Sequence, residues 1–156
     1  MDALLDALNH LNLSERLSAQ ASLPELGDAV VDPLIALLAN ADAPADARWR
    51  AALILGATGS SRALDPLVTA LSDPQAEVRN CAVWALCDLR NSGAFDALCG
   101  CILNGVDEEQ IPYTAALTLI AVDAERAQTF LLDALRSTND GVCRAAMSSL
   151  AFLKYV

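Results

Sequence analysis

The sequence predicts an all-α protein in which pairs of helices stack along the chain. Of its 156 residues, 54% are hydrophobic and only 4% are aromatic, and the apolar residues are mostly Ala and Leu, which favour close-packed helices. One motif also occurs twice: DAPADARWRAALILGAT begins at Asp42, and DPQAEVRNCAVWALCDL begins 31 residues later at Asp73. A repeat of this period is typical of architectures built from stacked helical pairs.

The repeated motif predicts an amphipathic helix, which we name helix A. Its matched apolar positions are spaced four, four and three residues apart, and this spacing keeps them on one face of a helix. Further copies continue from Ile111 and Val142, and a weaker copy, ERLSAQASLPELG, precedes the others. The sequence therefore contains helix A five times.

A second recurring motif lies before the first of these copies and between each copy and the next, and it predicts helix B. Its copies are DALLDAL at Asp2, DPLIALL at Asp32, DPLVTAL at Asp65, DALCGCI at Asp96 and TFLLDAL at Thr129. Turn residues such as Gly, Ser, Asn and Asp separate the helices.

The two motifs divide the chain into repeats within a single predicted domain, 1–156. The predicted repeats are a half repeat at 1–10, full repeats at 11–41, 42–72, 73–104 and 105–138, and a closing half repeat at 139–156. No helical pair can bury its apolar faces alone, so neighbouring pairs are expected to stack into a curved, two-layered solenoid.

Charge and composition exclude several classes of partner. The net charge is −10, and the ten basic residues are scattered, whereas binding to nucleic acid requires clustered Lys and Arg. The uncharged runs are too short for a membrane span, and acidic residues begin at Asp2, so we expect no signal peptide.

Five cysteines without a Cys-x-x-Cys pair suggest small free thiols in a reducing compartment. We therefore expect a soluble, cytoplasmic protein.

The strings EVRNCAVWAL and SSRALDPLVTALSDP resemble the short HEAT-like repeats of the phycobilin lyase type. In those repeats helix A has the form Val-Arg-x-x-Ala-x-x-Ala-Leu-Gly and helix B the form Arg-Ala-x-x-Pro-Leu. The resemblance covers nearly the whole chain and is strongest from Asp42 to Leu103. It implies a right-handed α-solenoid of about five short HEAT-like helical pairs.

The same resemblance implies a ladder of ion pairs between repeats. In HEAT-type repeats an Asp before helix A commonly pairs with an Arg six residues later, and this spacing occurs at Asp42 with Arg48 and at Asp73 with Arg79. The Arg position of the later repeats holds Pro112 and Cys143. We expect a structural role for the four paired residues, because an Arg fork can satisfy a carboxylate and neighbouring carbonyls together.

Two surfaces are candidates for binding. Four aspartates share one position of helix B and predict an acidic row, formed by Asp2, Asp32, Asp65 and Asp96. This row either complements the helix macrodipole or meets a basic partner. The third and seventh positions of helix A, counted from Ala47, Val78 and Ile111, point away from the core. Large apolar residues occupy most of these positions, namely Trp49, Leu53, Trp84, Tyr113 and Leu117. This aromatic row either packs within the protein or forms a patch for a partner or for self-association.

The sequence predicts no catalytic, cofactor-binding or metal-binding residues. Its single histidine, His10, lies in an expected turn and has no second histidine to share proton transfer or metal binding. The predicted function is therefore that of a non-catalytic scaffold or adaptor, which binds another protein or forms a homodimer. The family resemblance implies an alternative, a subunit of a bilin lyase or a chaperone-like factor for chromophore attachment to phycobiliproteins.

Overall fold

The computed structural model describes residues 28–104 and 110–153, and within these ranges the regular structure is entirely helical. The α-helices of these ranges are α1 (Val31–Ala39), α2 (Ala45–Thr58), α3 (Leu64–Ala70), α4 (Ala76–Leu89), α5 (Phe95–Asn104), α6 (Gln110–Val122), α7 (Ala124–Ala134) and α8 (Asp140–Leu153). The all-α prediction is confirmed. The helices predicted before residue 28, together with Asp2 and His10, lie outside the described residues.

The two sequence motifs alternate along the chain as separate helices. Helices α2, α4, α6 and α8 carry the helix A motif, and α1, α3, α5 and α7 carry the helix B motif. Short 3-10 turns at Ser61–Ala63 and Ser92–Ala94 lead into α3 and α5. The side chain of Asn91 accepts a 2.9 Å hydrogen bond from the backbone N–H of Gly93 and so stabilises the second of these turns.

Helix ends follow local chemistry. Asp123 caps α7 by accepting a 3.1 Å hydrogen bond from the backbone N–H of Arg126, which would otherwise lack an intrahelical partner. Gly59 ends α2 in the left-handed region, with φ of 66°, where a residue without Cβ meets no steric penalty. Arg90 follows α4 at the equivalent position, 31 residues later, and has a positive φ of 48°.

The chain forms two compact units, of which the first ends at Leu89 and the second begins at Arg90. The described helices of the first unit are α1 to α4, and its core includes the fully buried Leu34, Leu55, Leu67 and Leu86. Helix α2 packs against α4, and the approach is close at Gly56. A Cβ atom at Gly56 would lie only 2.6 Å from Ala85 Cα, so this contact between two A helices requires glycine.

The second unit contains α5 to α8. Helix α6 packs against α5, α7 and α8, and α8 also packs against α7. The fully buried residues Leu98, Ile102, Leu119 and Leu131 lie in this core. The candidate surfaces lie on the faces of the A helices and B helices that these cores leave exposed or half-buried.

Candidate protein-binding surfaces

A buried ion pair connects successive A helices in the first unit. Arg48 Nη1 in α2 donates a 2.7 Å hydrogen bond to Asp73 Oδ2 in the turn before α4, and the two side chains are 7% and 8% exposed. The other oxygen of Asp73, Oδ1, accepts a 2.8 Å bond from the backbone N–H of Gln75. Asp73 therefore bonds to the arginine of the preceding repeat and also caps its own turn.

The six-residue spacing of Asp73 and Arg79 brings the arginine to the backbone. Arg79 Nη1 donates to the carbonyl oxygens of Asp73, at 2.6 Å, and Pro74, at 3.0 Å. Two repeats later Cys143 occupies the arginine position, and its Sγ lies 3.1 Å from the carbonyl oxygen of Ser137, also six residues earlier. Asp42, by contrast, is exposed, and its backbone N–H donates to Asn40 Oδ1.

The acidic row lies in the first turns of the B helices, where Asp32, Asp65 and Asp96 are exposed on α1, α3 and α5. Asp32 is paired with Arg62, which precedes α3. Asp96 Oδ1 lies 3.3 Å from Arg126 Nη2 in α7.

The two arginines were not predicted to bind this row, although a sequence signal for them exists. Arg62 and Arg126 share one position of the repeat, because each stands three residues before the first residue of a helix B motif, Asp65 or Thr129. In the intervening repeat, the residue three before Asp96 is Gly93. The guanidinium of Arg126 also lies over the Phe95 ring, 3.9 Å from its centroid. Two carboxylates of the acidic row therefore already have cationic partners.

The aromatic row is exposed to different extents along its length. Trp84 in α4 is 47% exposed and Tyr113 in α6 is 40% exposed, whereas Trp49, Leu53 and Leu117 are half-buried. The Arg50 guanidinium lies 4.3 Å from the centroid of the Trp49 ring.

Arg50 is itself fixed on α2. Its Nη2 lies 3.0 Å from Asp46 Oδ2, and its Nη1 donates a 2.8 Å bond to the Asp46 carbonyl oxygen. The cation therefore stacks on Trp49 from the same helix. Within the first unit, Trp84 is the more accessible of the two tryptophans.

Each unit also contains a hollow. In the first unit a groove of about 550 Å³ lies beside α1 and α3, and its lining includes Ile35, Leu38, Asp65 and Pro66 together with the Arg48–Asp73 pair. In the second unit a hollow of about 420 Å³ is lined by Phe95, Asp123, Glu125, Arg126, Thr129 and Phe130. The first hollow is mainly apolar, and the second carries carboxylates around an arginine and two aromatic rings.

The cysteines are free thiols, and all five are half-buried. Burial and the Glu77 carboxylate raise the pKa of Cys81. Burial, together with the Asp96 carboxylate, raises the pKa of Cys99 to about 11, although Arg126 acts in the opposite direction. Both thiols stay protonated at neutral pH, and this makes them weak nucleophiles.

Within residues 28–104 and 110–153, no three or more His, Cys, Asp or Glu side chains come together in a way that could hold a metal ion. None of the helices described in these ranges combines the length and the hydropathy needed to cross a bilayer.

Comparison with known families identifies the class of protein. The chain matches HEAT repeats over residues 1–80, 31–111 and 69–151. It therefore belongs to the HEAT repeat family, and its fold class is that of the HEAT-like and armadillo-like α-solenoids. A comparison with curated protein sequences found no significant match.

Solved structures with a similar fold include a phycocyanin lyase complex and designed armadillo repeat proteins. One is the complex of CpcE and CpcF of phycocyanin lyase from Nostoc sp. PCC7120, with a TM-score of 0.65 and 27% sequence identity over 96% of this chain. The chain spans only 63% of that protein's length. Two further structures are of armadillo repeat proteins, one computationally designed for modular peptide recognition and one designed protein in complex with the peptide (KR)4. Both have a TM-score of 0.51, at 19% and 21% identity, and each alignment covers 95% of this chain and 79% of the designed chain.

Proposed function

We propose that this chain is a non-catalytic scaffold that binds another protein through the outer face of its A helices. The exposure of Trp84 carries this proposal. Its indole is nearly half exposed in the middle of α4, while Val78, Ala82 and Leu86 on the same helix are fully buried. Large aromatic side chains of this kind contribute strongly to protein interfaces. Trp84 is therefore the expected anchor of the first unit, and Tyr113 is the corresponding candidate of the second.

The acidic row is the weaker candidate for a partner site. A basic partner would have to compete with Arg62 for Asp32 and with Arg126 for Asp96. Asp65 has no arginine at the corresponding position, because Gly93 stands there. Exposed ion pairs are also screened by salt. The aspartates are best explained by the helix macrodipole and by pairing with the next B helix.

The two surfaces can be distinguished by affinity capture from the native host with the chain as bait. Trp84→Gln should abolish capture of the partner, whereas the combined replacement of Asp32, Asp65 and Asp96 by Asn should leave it intact. The complex should also persist at roughly 0.5 M salt, where the Debye length falls to about 4 Å. Far-ultraviolet circular dichroism must show that both variants keep their helicity. Capture that survives Trp84→Gln but fails in the triple variant would place the site on the acidic row instead.

A cytoplasmic location is part of the same proposal, because free thiols persist in reducing compartments. Fractionation of host cells tests the location. Recovery of the chain with the oxidising, extracytoplasmic fraction would refute it.

A second candidate function is that of a subunit or chaperone-like factor in bilin attachment, with repeats of the phycobilin lyase type. It is supported by the 27% identity to the CpcE–CpcF structure, which extends over 96% of this chain. Titration with a linear tetrapyrrole tests it, because a bound bilin changes its absorption spectrum. A spectral change at stoichiometric protein would favour the lyase-type function, and an unchanged spectrum would favour the scaffold.

A further inference from the structure

The last helical pair exposes residues at positions that earlier pairs bury. We number helix A from Ala47, Val78, Ile111 and Val142. Its sixth and tenth positions are then Ala52 and Gly56 on α2, Val83 and Cys87 on α4, Ala116 and Ile120 on α6, and Met147 and Ala151 on α8. Of the six residues on α2, α4 and α6, five are buried and Cys87 is half-buried, and Gly56 faces Ala85 of the next A helix. On α8, in contrast, Met147 is 56% exposed and Ala151 is also exposed.

In helix B too, positions that face the next repeat in an earlier pair are exposed in the last described pair. Ile35 and Leu38 of α1 line the groove that α3 also lines, so these positions face the next B helix. The equivalent residues of the last described pair are Leu132 on α7 and Leu135 directly after it, and both are exposed. We name Leu132, Leu135, Met147 and Ala151 the end face, because each occupies a position at which an earlier repeat meets its successor.

The composition of the end face favours contact with another surface. In solenoid proteins such apolar positions are normally buried against a neighbouring repeat. Here three of the four residues have large apolar side chains, and such a group marks an interaction site.

The charge distribution indicates which partner fits the end face. Residues 124–153 contain three acidic residues (Glu125, Asp133 and Asp140) and three basic residues (Arg126, Arg136 and Arg144). The net charge of −10 therefore lies wholly outside the last helical pair. Two copies of such an acidic chain repel each other least when they meet through this neutral helical pair.

We propose that the end face binds the end face of a second copy and so forms a two-fold symmetric homodimer. In a contact of this kind the same patch serves both partners, so that Leu132, Leu135 and Met147 pack against their own equivalents. Asp133 on α7 and Arg136 in the turn after it lie beside the leucines, and their exposed side chains are 3.1 Å apart. Across a two-fold axis, each can pair with the opposite charge of the other copy.

Sedimentation equilibrium on the full chain tests the dimer. The wild type should show twice its chain mass of 16.4 kDa. Leu132→Glu should weaken the dimer at least tenfold, as is usual when a charge enters the centre of an apolar contact. Leu103→Glu is the matched control, because Leu103 is 49% exposed and Leu132 is 50% exposed, but Leu103 lies on α5 outside the end face. This control should remain dimeric.

Met147→Glu provides a second variant on the other helix of the end face and replaces Leu132→Glu if the latter loses helicity. Trp84→Gln should leave the dimer intact, so that the proposed dimer and the proposed partner site can be refuted separately. A wild type that stays at 16.4 kDa up to roughly 100 μM would overturn the proposal, because this range covers micromolar association. Equal weakening by Leu103→Glu, or loss of the dimer in Trp84→Gln, would also overturn it.

Discussion

Replacing Asp73 with Asn should destabilise the first unit by about 3–5 kcal/mol, because it leaves a buried guanidinium without its counter-charge. The structure places Arg48 Nη1 2.7 Å from the Asp73 carboxylate, with both side chains almost completely buried. Opposite unit charges 4 Å apart attract by about 4 kcal/mol at an effective dielectric constant near 20, which is consistent with this loss. Asn retains an oxygen that can accept the Gln75 N–H, so the variant removes the charge but not the cap of the turn.

Urea unfolding followed by tryptophan fluorescence measures this effect. Trp49 and Trp84 are the two tryptophans of the chain, and both lie in helices of the first unit. Asp32→Asn is the control, because it removes an exposed ion pair of the same unit and should cost only about 0.2–1 kcal/mol. Combining Asp73→Asn with Arg48→Met should cost less than the sum of the two single changes. If Asp73→Asn costs no more than Asp32→Asn, the reasoning about the buried pair is wrong.

The remaining predictions concern packing and thiol chemistry. Gly56→Ala should lower the free energy of unfolding by about 1–3 kcal/mol, because the new Cβ would lie 2.6 Å from Ala85 Cα. Gly100→Ala should instead stabilise α5 by about 0.5–1 kcal/mol, because the nearest neighbour of its Cβ would be 3.9 Å away. Thermal unfolding checks both, and equal effects would contradict the close contact. In a variant that keeps Cys99 alone, iodoacetamide should react slowly at pH 8, with a midpoint near pH 11, and Asp96→Asn should accelerate the reaction because the carboxylate raises the pKa. Since this pKa lies above the ordinary value of 9.0, the contribution of Cys99 to folding stability should be constant below about pH 9 and fall between pH 9 and 11. Unfolding across that range, compared with Cys99→Ala, measures it, and a rise in stability would refute the assignment.

The periodicity of the sequence was sufficient to predict the helices, because helix formation depends on spacings of three and four residues along a single segment. The predicted core positions Ala51, Leu55, Ala82 and Leu86 are all fully buried. Turn residues also indicated where helices end: Gly59 directly follows α2, and Asn91, Ser92 and Gly93 lie between α4 and α5. These features are local, and each copy of the motif specifies them again.

Spacing along the sequence could not predict which residues of different helices contact each other. Asp73 is six residues before Arg79 and 25 residues after Arg48. Sequence spacing favours the nearer arginine, but packing of α2 against α4 brings the carboxylate to Arg48 and directs Arg79 to backbone carbonyls. Which donor reaches a carboxylate depends on the separation of two helices, and this separation is set by contacts such as that of Gly56 with Ala85.

Exposure also depends on the tertiary structure. The sequence determined that Trp49 and Trp84 lie on the outer faces of A helices, but only the structure showed Trp49 half-buried and beneath Arg50 and Trp84 nearly half exposed. Likewise, Leu132 and Met147 occupy ordinary apolar positions of their motifs, and the sequence gives no reason to expect them at the surface. Gly56, which like Ala151 occupies the tenth position of its A helix, meets Ala85 of the next A helix, whereas no helix described after α8 covers Leu132 and Met147. A side chain's own motif determines which way it points, whereas the neighbouring helices determine whether anything covers it.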